Sequence, residues 1–156
     1  MTSKREGALG ARRAERGQAL IEMAFVLPLI FVFLLVLVDF GMALDHRQVI
    51  QHAVRDGARH AAVGADVAAV KQYTVDQSQG ILGAADVSVC YVDMNGNGNP
   101  GNPGDDVRVS ATYTYRFTTG GGEMLTVFGV PVPSIAMTPS ADMRLEKSVG
   151  GAAACP

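Results

Sequence analysis

A chain of 156 residues is long enough for one domain, and its 13 Lys and Arg against 15 Asp and Glu leave it near neutral. No polyanion-binding reading follows from that balance, and no nucleic-acid partner is expected. The distribution of charge is more informative. Lys4, Arg5, Arg12, Arg13 and Arg16 all precede a long apolar run, with only Glu6 and Glu15 against them.

Met1 to Arg16 is polar and basic without periodic apolar residues, and reads as a leader of residues 1–17 outside any folded element. From Gln18 the pattern turns helical. Met23 to Val38 is sixteen residues without a charge, about 24 Å of helix against a bilayer core of about 30 Å. Extension to Ala19 and Leu44 gives about 39 Å, enough to span, so residues 18–44 are expected to form a transmembrane helix. The basic flank places the leader in the cytoplasm and the rest of the chain outside it. Pro28 interrupts the run and should loosen one turn, since it removes a ladder hydrogen bond. Two carboxylates fall within the extended helix. Asp39 can sit at the far interface; Glu22 stands on the apolar side of the basic flank, where an ionisable group is a functional candidate.

Residues 45–85 keep helical spacing. Val49, Ala53, Gly57 and Ala61 make a narrow stripe of small residues, and Arg47, Arg55 and Arg59 fall on other faces and read as solvated. Gly64 is a plausible stop, and Val67 to Gly80 a shorter helix. Past Ala85 the period changes from 3.6 to 2. Asp86 to Asp93, Val107 to Thr118 and Ile135 to Leu145 alternate as half-buried strands, with Pro139 marking an edge or a bulge. Gly120 to Pro133 is a Gly/Pro-rich connection with room for one helical turn at Glu123 to Phe128, and residues 148–156 read as a flexible tail of small residues. The expected class is α+β: a long N-terminal transmembrane helix continuing into a helical region, then a small antiparallel sheet over residues 86–147. With Phe25, Phe31, Phe33 and Phe40 used in the apolar run, the outer part must build a shallow core from Val, Ala, Met and Tyr.

Cys90 and Cys155 both follow the apolar run, in a compartment that permits disulfides. A bridge between them and two free thiols are both open. Alternation puts Cys90 on the face opposite Val87 and Tyr91, where a tail could reach it.

No pattern supports an enzyme or a cofactor. Gly96 to Gly101 satisfies G-x-G-x-x-G, but Pro100, Pro103 and a strand follow where a helix should open, so the dinucleotide reading is rejected. Asp93, Asn95, Asn97 and Gly98 resemble the start of an oxygen-ligand calcium loop, yet position twelve is Gly104 in place of a bidentate Glu. A polar hairpin connection is the simpler reading. His46, His52 and His60 share a helical stretch without H-E-x-x-H spacing or a completing acid.

Gly17-Gln18-Ala19-Leu20-Ile21-Glu22, behind a basic leader and before an apolar helix, resembles the cleavage site of type IV prepilins and pseudopilins. The longer stretch from Arg16 to about Val63 resembles the TadE/TadG-like proteins of tight-adherence (Tad, Flp pilus) systems, with mild departures at Met23 and Asp56. The resemblance implies a bacterial minor pseudopilin, cut by a prepilin peptidase after Gly17 and leaving Glu22 as the fifth residue of the mature chain. It further implies pairing of Glu22 with the Gln18 ammonium of an adjacent subunit, and as partners other pilin-like subunits and the Tad assembly platform. Two other readings remain. One is an uncleaved single-pass anchor carrying an extracytoplasmic binding module. The other is a soluble domain released after Ala43, where Gly41 and Ala43 supply small residues as signal peptidase prefers.

Overall fold

The structure is a computed structural model that describes residues 3–127, 129, 131 and 134–156. The chain is α+β: helices α1 (Ser3–Ala62), α2 (Val67–Gln77) and α3 (Gly121–Val127), and strands β1 (Val87–Val92), β2 (Asp106–Ala111), β3 (Tyr113–Arg116), β4 (Ser134–Met137) and β5 (Ser140–Arg144). It divides into two compact units. One comprises Met1–Phe40 with Phe117–Val132, the other Gly41–Arg116 with Pro133–Pro156.

In the first unit α1 begins at Ser3, inside the stretch expected to lie outside any folded element. Ala, Arg, Lys and Glu dominate that stretch and are strong helix formers even without an apolar period. Met1 and Thr2 of the leader lie outside the described residues. Pro28 is inside α1, and the helix continues on both sides of it. The turn expected at Glu123 to Phe128 corresponds to α3, while Phe128, Val130, Val132 and Pro133 of the connection lie outside the described residues.

The second unit holds the core. Ile50, Val54, Ala58 and Ala61 of α1 pack with Val70 of α2, Val87 and Tyr91 of β1, and Val107 and Val109 of β2. The small-residue stripe has a specific use at Gly57. A Cβ there would stand 2.1 Å from Thr74 Oγ1, which donates to the Val70 carbonyl at 2.8 Å. Only glycine lets α1 and α2 approach this closely. Gly64, at φ +90°, ends α1, and the Asp66 side chain caps α2 by accepting from Ala68 N–H at 3.1 Å.

The sheet differs from three uninterrupted strands. Strands β1, β2 and β5 form one antiparallel sheet in that order, and β3 and β4 form a second. The alternating run expected over Val107 to Thr118 is divided at Thr112, and that over Ile135 to Leu145 at Thr138 and Pro139. Ser110 faces Ser140 and Tyr113 faces Met137, so the register is the same on either side of the gap and no residue is bulged. Ala111 N–H still donates to the Pro139 carbonyl at 3.0 Å, but proline has no N–H to return. Pro139 therefore interrupts the ladder on the outer strand, the edge alternative of the two.

Residues 148–156, expected as a tail of small residues, are attached to the rest of the unit at several points. Val149 N–H donates to the Gly101 carbonyl, Tyr91 N–H to that of Ala153, and Cys155 N–H to that of Tyr91. A parallel bridge between Tyr91 and Ala154 covers the outer edge of β1. A disulfide joins Cys90 and Cys155, with Cα atoms 4.9 Å apart. Small side chains made this segment look featureless, but its attachments are made by backbone groups and one sulfur.

Candidate functional site

The clearest functional surface lies on α1. From Gln18 it carries a segment long and apolar enough to cross a membrane, with mean hydropathy 2.9 and none of its most apolar stretch buried within the protein. Leu20, Phe25 and Leu29 are each more than two-thirds exposed with no protein to cover them. In water such a surface would be unstable at roughly 25 cal/mol per Å² of apolar area. A lipid environment or neighbouring helices must cover it.

The residues singled out for processing sit on this helix. The Gly17–Gln18 bond is within α1, and Gln18 and Glu22 lie one turn apart, both exposed. Glu22 is set among the exposed Leu20, Ile21, Met23 and Phe25. The helix thus presents one carboxylate on an otherwise lipid-compatible face. Cys90 and Cys155 stand elsewhere, at the sheet edge of the second unit.

Sequence reasoning left Asp39 as an interfacial carboxylate. The structure buries it completely and surrounds it with donors. Thr118 N–H donates to Oδ1 at 3.0 Å, Thr119 N–H reaches both oxygens at 3.3 Å, and the Thr119 hydroxyl bonds Oδ2. That hydroxyl also lies 3.2 Å from the Leu35 carbonyl. Asp39 and Thr119 are 80 residues apart, so no local pattern could have paired them.

The Asn-rich connection between β1 and β2 organises itself around two carboxylates. Asp93 accepts from the N–H groups of Asn95, Gly96 and Gly98, at 3.1, 2.8 and 2.7 Å. These bonds, the one from Gly98 foremost, hold its carboxyl below the usual carboxylate range. Asp105, fully buried, accepts from Met94 N–H, the Asn95 side-chain amide and Asn102 N–H. Among the described residues no group of three or more His, Cys, Asp or Glu is placed to hold a metal ion. His46 packs on Tyr113 and edge-on to Tyr115, its Nδ1 3.2 Å from the Tyr113 hydroxyl, and His60 stacks on Tyr73.

Fold and surface together define a class: a small α+β protein with one long, uncovered apolar helix near its N-terminus. Residues 17–59 match the model of the TadE-like protein family. The matched stretch begins at Gly17, takes in Glu22 and Asp39, and covers well under half of the chain. The TadE-like family is a family of pilus-associated structural proteins and not of enzymes. Match and apolar helix are both consistent with a membrane protein related to Tad pili. Comparison with curated proteins and with solved structures finds no match.

Proposed function

We propose that the protein is a membrane-anchored minor pseudopilin, cut between Gly17 and Gln18 by a prepilin peptidase and acting in assembly of Tad/Flp-type pili or the related secretion system. The observation that carries this reading is Glu22. It is the carboxylate near the start of the exposed apolar helix, inside the family match, five residues into the chain that cleavage would leave. The basic leader stays on the cytoplasmic side and the disulfide-bearing unit lies outside.

The chemistry follows from the helix. Hydrolysis of the Gly17–Gln18 bond gives a carboxylate on Gly17 and an ammonium on Gln18. The bond lies in helical backbone, so the peptidase must first unwind it. Glycine there lowers that cost by about 1 kcal/mol relative to alanine and admits the backbone without a side-chain clash. The new ammonium and the Glu22 carboxylate are each costly in an apolar setting unless paired. Pairing between neighbouring subunits rewards one axial register of helix on helix.

The N-terminal residue of the mature chain tests this reading. Coexpression with the cognate prepilin peptidase should yield a chain beginning at Gln18, and Gly17→Val should leave it uncut. A mature Met1 would point to an uncleaved anchor and a mature Leu44 to a released domain. Either would end the pseudopilin assignment.

A further inference from the structure

Within the first unit, the burial of Asp39 calls for an explanation of its own. A carboxylate in water needs no protein donors, and ordering a loop to supply them has an entropic cost. Full burial, with two backbone N–H groups and a hydroxyl aimed at it, is the arrangement needed where water is scarce. Asp39 directly follows Val38, the last residue of the uncharged run.

The loop that clamps it lies along the last turns of that run, because the Thr119 hydroxyl also reaches the Leu35 carbonyl. It leads straight into α3, where Met124 is 41% exposed and Val127 is 83% exposed. No charged residue occurs between Glu123 and Asp142. Leu34, Leu37, Val38 and Phe40 of α1 are also exposed, so the same unit carries uncovered apolar side chains both on the helix and on the segment that follows the clamp.

We propose that this segment is a second membrane contact: the loop pinned to Asp39 holds Met124 and Val127 of α3 against the lipid surface at the end of the α1 span. The partner is the bilayer at the boundary of headgroups and acyl chains, which accepts short apolar segments lying in its plane. This rests on the reading of α1 as a membrane span. It accounts for a short uncharged run, since the collar around Asp39 extends the lipid-compatible surface beyond Val38.

The chain has no tryptophan, so single reporters can be introduced into the full-length protein. Leu29→Trp, Val127→Trp and Ser88→Trp chains would be reconstituted in phosphatidylcholine–phosphatidylglycerol vesicles with brominated acyl chains, and fluorescence quenching read. Ser88, exposed on β1, controls for the affinity of tryptophan itself for lipid. The expected result is quenching at Val127 comparable to that at Leu29 and several-fold above that at Ser88. Thr119→Val in the Val127→Trp chain should lower quenching there and leave Leu29 unchanged; undiminished quenching would overturn the role of the clamp. Quenching at Leu29 with Val127 at the Ser88 level would overturn the inference and leave the span standing, as would a neighbouring subunit covering α3. An unquenched Leu29 would overturn the span and the inference together.

Discussion

The hydroxyl of Tyr91 is buried in the core of the second unit with no hydrogen-bond partner among the described residues. Burial, aided by the charge of Asp66, pushes its ionisation above the ordinary tyrosine value. Burying a hydroxyl without a partner costs about 1–3 kcal/mol, whereas a satisfied one contributes about 1 kcal/mol. Tyr91→Phe removes the orphan and keeps the ring. It is therefore expected to be neutral or to stabilise the full chain in micelles by about 1 kcal/mol in urea unfolding. A loss of that size would mean that the hydroxyl has a partner. The pH dependence has a defined sign. With the folded ionisation raised, the neutral ring's contribution is complete below the ordinary tyrosine pKa of about 10 and is lost as pH climbs above it. Tyr91→Phe should flatten that alkaline loss. Asp93 is the opposite case, since its oxygens are engaged by backbone donors and its ionisation is lowered. Its contribution is present above the ordinary carboxylate range and is lost on acidification below it.

Among the elements, the strands show how far a sequence pattern reaches. Strict alternation from Val107 to Phe117 identified which residues face inward, and Val107, Val109, Ala111 and Tyr115 are buried. It could not show that the run serves two sheets, because the parity of inward and outward residues is preserved across Thr112. Only Pro139, through its missing N–H, carried a local signal of the break. The tail was illegible for another reason. Its contacts with β1 and Gly101 are made by backbone groups, which any residue supplies, and only Cys155 distinguished it. The Asp39 collar was hidden by distance along the chain, since Thr118 and Thr119 look like ordinary loop residues. By contrast α1 from Gln18 onward, the stop at Gly64 and the stripe through Gly57 follow directly from spacing and residue size. The disulfide closes a loop with a sequence separation of 65. In the chain-entropy model such a bridge contributes about 4 kcal/mol. Cys155→Ser should lower stability toward that amount and free the edge of β1, measurable as faster amide exchange at Tyr91, whose N–H is bonded to Ala153. Unchanged exchange and stability would show that backbone bonds alone hold the tail. Two freely alkylated thiols in protein from the native compartment would show that the bridge does not form there.

At the scale of the whole molecule, one chain combines a surface that water disfavours with a unit whose polar connections are satisfied internally. The apolar face of α1 must be covered, and lipid and neighbouring helices are both able to cover it. Lipid alone sets no register between subunits, because it contacts every turn of the helix alike. A charge pair does. Glu22 is exposed on α1 among Leu20, Ile21, Met23 and Phe25, and Gln18 one turn earlier would carry the ammonium after cleavage. Glu22→Gln keeps the size and some hydrogen bonding of the side chain and removes the charge. An ammonium left beside a neutral amide in an apolar contact should weaken that contact by about 3 kcal/mol, by analogy with breaking a buried ion pair. Insertion should be at least as good as in the wild type, since a charge has left the apolar segment. Cleavage should be near normal, because Glu22 lies past the scissile bond. The expected phenotype is thus separable: normal membrane levels, a mature chain beginning at Gln18, and loss of pilus assembly or of crosslinking to other pilin-like subunits. Normal assembly of the variant would rule out a register role for Glu22. Disappearance of the protein from the membrane would place Glu22 in folding instead, and an uncut chain would place it in recognition by the peptidase.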